Sequence, residues 1–499
     1  MGRPEPTAKK WRRRLFQAAT VGVVAFWAVM MGLLVHRAFI RGMELPVLAE
    51  AAQAQLPTGE EWLGVYFRGQ KIGHVHLSTS RVGEDYLLRE ESFLRLGMLG
   101  TRQEIRQRLR CTTGPDFRLK AFTFHMESPV ASLRVRGEVR GQRLRLYIQT
   151  GGEKRVEEVR LARPIHLPLS LKARVASLGL KPGQVYRVPL FDPATLSPRD
   201  AVVVVEGMDT VKIGNRVISA YRIREEWEGI TVRTWVAEDG TTLKEEHPSG
   251  WTLLKETRET ALRMDTRGPL VDLVALTAVP VNREIPDPAK LRLLKLRIEG
   301  LNPKDLPELS GGRQRWEGGT LVIRREEVPE SGPRLPLGGP GLDPYLAETP
   351  FVQAKDPKIL RQARAVLSGE TDAVRAARRL TRWVNAALRK EPVVSLPSAL
   401  EVLSLRKGDC NEHTVLFTAL ARAVGLPTRM AAGVVYLRGR FYYHAWPEVY
   451  VGRWVAVDPT LDQFPADVTH LRLVEGGLEQ QVPIAGLLGR LRIRVVAWE

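Results

Sequence analysis

Residues 408–460 read GDCNEHTVLFTALARAVGLPTRMAAGVVYLRGRFYYHAWPEVYVGRWVAVDPT. Asp409 is placed to cap a helix, with Glu412 at its third position, the pattern of a capping box. Val415, Leu416, Ala419, Leu420, Ala423 and Val424 recur at helical spacing, so one face is buried. Gly425 stops the helix and Pro427 prevents its resumption. Cys410, one of two cysteines in the chain, therefore lies in the first turn. Unpaired N–H groups and the positive end of the helix dipole favour a thiolate there.

Two strands follow. Residues 441–449 are rich in aromatic and β-branched side chains, 450–452 form a three-residue connection, and 453–458 return. Such a loop needs φ > 0 at its third place, which Gly452 can supply. This register sets His444 opposite Asp458 on one sheet face, with Trp446 beside the histidine. Asp458 can then accept a hydrogen bond from one imidazole nitrogen while the other faces the sulfur. Pro459 would end the strand.

The order of these residues resembles the transglutaminase-like superfamily of papain-type folds. GDCNEH around Cys410, RAVGLPTR after it, HAWPEVYV at His444 and WVAVDPT at Asp458 carry the resemblance, and the tail LDQFPADVTHLRL resembles bacterial members. It covers roughly the last third to two-fifths of the chain. It implies Cys410 as nucleophile, His444 as base and Asp458 as the group that orients it. The alternative for a lone cysteine is a small buried hydrophobe. His413, three residues after Cys410, lacks the further ligands a zinc site requires and is read as a hydrogen-bonding residue of the helix. Trp446 and Trp454 are read as core and cleft wall.

The rest of the chain divides by composition. Residues 1–14 form a basic cytoplasmic tail, 15–35 a transmembrane helix and 36–60 a spacer. The 15–35 run carries no charge and, at ~1.5 Å per residue, matches the ~30 Å hydrocarbon layer. Six Lys or Arg precede it, while Arg37 and Arg41 closely follow. The bias places the N-terminus inside and the remainder in the periplasm, anchored in the inner membrane. A cleaved signal peptide is the rival reading, but the A-x-A-like site at Ala52–Ala54 lies far beyond the apolar run.

Residues 61–270 show strand composition at 62–68, 86–93, 117–124, 144–149, 201–206, 231–237 and 252–257, with Asp239-Gly240 as a hairpin turn and 170–178 as a short helix. An antiparallel β-rich domain is expected. His74 and His76 lie on one strand face without a third metal ligand and are read as surface residues. Residues 271–499 form the transglutaminase-like domain, giving an α+β chain overall. Within it, 291–298 and 320–325 read as strands. Six prolines and four glycines mark 329–350 as a surface excursion. Asp356-Pro357 opens a helix to about Leu367, and 372–389 makes another with Val374, Ala377, Leu380, Val384 and Leu388 on its stripe. Ser398 and Glu401 suggest a capping box.

The formal charge is +19, of which residues 1–14 supply +5. Arg134, Arg136, Arg140, Arg143 and Arg145 spread charge through strands rather than through a nucleic-acid motif, so anionic lipid or an acidic wall polymer suits better than DNA, and a solvated basic surface is the plain alternative. Cys111 is expected in a core, unpaired with Cys410. No G-x-x-x-x-G-K-[ST], G-x-S-x-G or H-E-x-x-H is present, which removes the common nucleotide, serine-hydrolase and zinc-protease readings.

The function expected is that of an anchored thiol enzyme acting on amide bonds of a protein or peptide, cell-wall peptide among the candidates, through an acyl-enzyme. No cofactor or metal is called for. Water as acceptor gives a protease or amidase and an amine gives a transglutaminase; the sequence does not choose. The alternatives are a non-catalytic peptide- or glycan-binding envelope protein that retains the fold, and a structural envelope component whose β-rich part carries the function.

Overall fold

The computed structural model describes residues 58–499 apart from 99, 130–131, 151–152, 178, 228–229, 265–269, 273, 275–276, 302–305 and 393–396. The 15–35 span lies outside the described residues. Among those described, no helix is long and apolar enough to cross a membrane.

Fourteen strands form one antiparallel sheet between Gly59 and Glu256. Eight run as a meander from Gly59–Phe67 to Glu153–Arg160, each pairing with the next. After the helix Pro168–Ser177, six more run from Val185–Asp192 to Trp251–Glu256, and the last pairs with the first, Val65 opposite Leu253. Alternation drives the burial: Leu144, Leu146 and Ile148 point inward, while Arg143, Arg145 and Tyr147 between them are exposed. Phe122 and Phe191, distant in strand order, bring their rings within 5.7 Å, so the sheet curls around a shared core. Cys111 is fully buried in that core, and both cysteines are free. His74 and His76 are half-buried rather than surface residues, because Trp62 covers them; His76 stacks on its indole at 4.2 Å.

The C-terminal region packs helices against a second sheet. Pro357–Leu367, Ala373–Ala387, Ala399–Leu405 and Cys410–Ala423 share one apolar core, to which Val374, Ala377, Leu380, Val384 and Leu388 all contribute. Asp356 caps the first helix by accepting from Lys358 N–H at 2.7 Å, and Asp372 caps the second by accepting from Arg375 N–H at 2.9 Å. The capping box expected at Ser398 does not form. Ser398 Oγ accepts from Gln353 Nε2 at 3.0 Å, and Glu401 Oε2 accepts from the Thr150 hydroxyl at 2.6 Å, so Glu401 serves the junction with the β-rich region instead. The 329–350 stretch is more than a surface excursion. Leu335 is buried beside the helices, and its N–H donates to Thr371 O at 2.7 Å.

Thr428–Leu437 and Arg440–Tyr450 form the central hairpin, flanked by Leu471–Glu475 on one side and by Val279–Pro280 and Trp454–Ala456 on the other. Gly433 sits opposite His444, where a Cβ would stand 2.0 Å from Leu471 O. Gly433→Ala must therefore spread the strands on which His444 rides. A loss of at least ~2 kcal/mol in denaturant unfolding is expected, as for other overpacked sites.

Candidate functional site

Helix Cys410–Ala423 begins where its sequence indicated. Asp409 accepts from Asn411 N–H at 2.9 Å, and Glu412 Oε2 accepts from Asp409 N–H at 2.8 Å, closing the capping box. Gly408 allows this with φ +154, since a Cβ would meet Glu412 at 2.2 Å. His413 Nδ1 bonds to Asp409 O at 2.6 Å, the helical hydrogen-bonding role expected of it.

The return strand differs from expectation in register. Tyr450 pairs with Trp454 and Glu448 with Ala456, so the loop is 451–453, closed by Val451 N–H to Arg453 O at 2.9 Å, with Gly452 (φ +97) in its middle. The pairing is displaced by two residues and ends at Ala456. A shift of two preserves the face. Asp458 therefore lies diagonal to His444 rather than opposite it, and His444 Nε2 still reaches Asp458 Oδ2 at 2.8 Å.

Asp458 is fully buried and accepts at both oxygens. Oδ1 takes Thr460 N–H at 2.7 Å and Leu461 N–H at 3.0 Å; Oδ2 takes His444 Nε2 and also His470 Nε2, the latter at 3.0 Å. Asn385 Nδ2 pins the following turn through Pro459 O and Thr460 O at 2.9 and 3.0 Å. Burial opposes the charge on Asp458, but its two imidazoles outweigh that and hold the carboxyl far below its usual range. His470 in turn approaches Asp467 Oδ1 through Nδ1 at 3.3 Å. Although burial disfavours its charge, bonds to Asp458 and Asp467 raise the His470 pKa to about 9, so it is an imidazolium at neutral pH. Trp446, wholly buried, stacks on His444 at 6.1 Å and meets His470 edge-on at 5.1 Å.

Sequence reasoning named His444 and Asp458 but missed His470 and Asp467. The signal was present in ADVTH at 466–470, where Asp and His three apart can bond locally.

Cys410 is buried at the start of its helix, and the backbone amide of Ala445, the residue after His444, favours its thiolate. This contact brings the sulfur to the histidine strand. The thiolate expected at the helix start is not the resting form. Burial pushes the thiol well above its usual value, Asp409 and Glu412 push the same way, and Ala445 N–H opposes them. Alkylation of Cys410 by neutral iodoacetamide is therefore expected to keep accelerating as pH rises past 9, instead of levelling near neutrality. A mass-resolved rate profile of that adduct measures this.

Tyr443 closes the space on the other side of the helix start. Its hydroxyl lies 3.1 Å from Asn411 Oδ1 and 2.7 Å from Oε1 of Gln481, which belongs to helix Leu478–Leu488. Burial holds this phenol neutral. The site thus holds a protonated sulfur at the helix start and, on the adjoining strand, an imidazole whose Nε2 is committed to a carboxylate. Such a group can pass a proton between sulfur and a reacting atom. His444, Asp458 and His470 also bring possible metal ligands within 4.8 Å of one another. Their mutual hydrogen bonds account for those atoms without an ion.

Residues 361–459 match the model of the transglutaminase-like superfamily. No curated protein matches the chain. Among solved structures, a candidate cysteine protease of Cytophaga hutchinsonii is similar over 42% of this chain and 84% of its own, at 16% identity and TM-score 0.28. A β-barrel-like protein of Brucella abortus, a domain of unknown function, is similar over 40% of this chain and 96% of its own, at 11% identity and TM-score 0.32. The stretch from Arg361 to Pro459, holding the helix start, the histidine strand and the buried carboxylate, is a transglutaminase-like domain.

Proposed function

We propose that this chain is a thiol enzyme that cleaves or transfers amide-bonded acyl groups, with Cys410 as nucleophile, His444 as acid and base, and Asp458 as the orienting carboxylate. The observation that carries it is the His444 Nε2–Asp458 bond at 2.8 Å, on the strand whose Ala445 amide favours the thiolate of Cys410 at the helix start. Asp458 fixes the proton on Nε2 and leaves Nδ1 for the sulfur. Because Cys410 rests as a thiol, its proton moves to His444 as the sulfur attacks the carboxamide carbon. The C–N bond of the tetrahedral intermediate then breaks as the imidazolium protonates the departing amine. The Cys410 backbone N–H at the helix start is a donor for the oxyanion. Water or a second amine then attacks the thioester and releases the enzyme.

In this proposal residues 15–35 anchor the protein and the remainder faces the periplasm, a reading that rests on the charge asymmetry around the apolar run. Peptides bearing glutamine and other amides, incubated with the purified protein with and without a primary amine, test the reaction. Cleaved peptides or new carboxylates indicate hydrolysis; ammonia loss with amine incorporation indicates transfer. Substrate retention with no mass change, and no acyl adduct on Cys410, would favour the binding-protein alternative.

A further inference from the structure

The arginines spread along the β-rich sequence assemble, in the fold, into one face. Across strands Thr101–Thr113, Leu119–Glu127, Ser132–Arg140, Arg143–Thr150 and Glu153–Arg160, register sets Arg108, His125, Arg134, Gln149 and Lys154 side by side. The next row is Arg110, Thr123, Arg136, Tyr147 and Val156, and a further row puts Arg140, Arg143 and Arg160 together. These cations point outward: the side chains of Arg136, Arg140 and Arg143 are 66%, 79% and 71% exposed.

Like charges opposite one another in a ladder destabilise the pair. Here Arg89 faces Arg110, and Arg143 lies between Arg140 and Arg160. Carboxylates relieve only part of this. Glu138 meets Arg136 and Arg140, and Glu158 meets Arg143 at 3.1 Å. Arg108, Arg110, Arg134 and Lys154 make no ion pair among the described residues, although Glu91 stands opposite Arg108 in the ladder. His125 is held below its usual range first by burial and then by Arg134, with Glu127 opposing and Arg108 adding to the fall. The second meander of the same sheet is different: Arg222 and Arg224 both pair with Glu206, at 2.7 and 2.8 Å, and Arg222 with Asp209 at 3.2 Å. Arg233, opposite Arg224, makes no ion pair among the described residues either, so the first-meander face differs in how many unpaired cations it gathers.

We infer that this Arg-rich face docks on a surface of anionic lipid headgroups. The face is two-dimensional: five strands at ~4.8 Å make it about 20 Å wide, with rows ~7 Å apart along the strands. That shape suits a plane of phosphates better than a single linear polyanion, which would need one groove. Within it Tyr147 and Val156 pair across the ladder, 37% and 52% exposed, with Arg136 and Arg145 guanidinium groups over the phenol ring at 5.8 and 5.6 Å. An amphipathic ring and an aliphatic side chain ringed by arginine match the headgroup boundary of a bilayer. The inference is independent of the thiol chemistry.

The full chain is mixed with phosphatidylcholine vesicles, with or without phosphatidylglycerol, and its partitioning is measured by flotation over a salt series. The ratio of anionic to neutral partitioning isolates the electrostatic part, because apolar insertion by any other segment contributes to both. At low salt this ratio should exceed several hundred and should fall as salt rises. Arg108→Ser, Arg110→Ser and Arg134→Ser together should lower it about 100-fold, close to fivefold per arginine, with neutral partitioning unchanged. The matching triple Arg→Lys variant should retain it, which separates lost charge from lost folding. A ratio near one in the native chain, an unaltered ratio in the serine variant, or loss of it in the lysine variant overturns the inference. So does a serine variant that loses only binding to polyphosphate or duplex DNA, because the occupant would then be a polymer.

Discussion

Cys410→Ala should lower turnover by at least ~10⁴-fold and abolish labelling by a thiol-directed acylating probe, while Cys111→Ala leaves both within about twofold. The two cysteines provide an internal contrast. Each is buried and each thiol is pushed up by burial, Cys111 to about 12. Cys111 lies among Leu88, Leu109 and Phe122 in the β-rich core, where burial raises its thiol. Cys410 has the Ala445 amide favouring its thiolate and lies at the strand that carries His444, so only there does the proposed mechanism supply a base as the bond to carbon forms. Removing the sulfur deletes few packed atoms and should cost ~1 kcal/mol of stability, far too little to explain the loss of rate. Turnover in Cys410→Ala that matches the native chain would remove the thiol mechanism and place the reaction on other groups.

What the sequence disclosed about this site was local. The capping box at Asp409 and Glu412 spans four residues, and Gly425 and Pro427 act within one turn, so neither needed tertiary knowledge. The hairpin register was less legible. Tyr450-Val451-Gly452 and Val451-Gly452-Arg453 are both three-residue loops by composition, and the choice rests on Val451 N–H reaching Arg453 O, a contact with no residue-type preference. Charge-rich strands failed for another reason. Glu153–Arg160 reads EKRVEEVR, and its two valines have opposite parity, so alternation of apolar residues is absent; neighbouring strands impose the conformation. Similarly, Glu401 three residues after Ser398 is a valid local motif, but the Thr150 hydroxyl from the other region takes its carboxylate. His470 was hidden because its partner Asp458 lies twelve residues earlier, across a turn held by Asp458 N–H to Gln463 O and Gln463 N–H to Asp458 O, both 2.9 Å.

His470→Gln should make the protein less stable at pH 6 by about 3 kcal/mol, a deficit relative to the native chain that closes between pH 6.5 and 10. The sign follows from the direction of the shift. His470 titrates at about 9 when folded and at its ordinary value of about 6.5 when unfolded, so folding holds the proton more tightly. Below about 6.5 both states are protonated and the stabilisation is complete. It declines as pH rises through 9 and is gone above that, where both states are neutral. Asp458 and Asp467 work in the opposite direction: their depressed values contribute above the usual carboxylate range, and that contribution is lost in acid. The two windows do not overlap, and the buried thiols that also titrate in alkali are common to both proteins, so the difference between native and variant reports the histidine. Glutamine can still donate to Asp458 through its amide, which keeps a hydrogen bond while removing the charge. Urea unfolding across this range, native against variant, measures the difference. Equal alkaline slopes in the two proteins would show that His470 is neutral when folded, and its bonds to Asp458 and Asp467 would then be those of an uncharged imidazole.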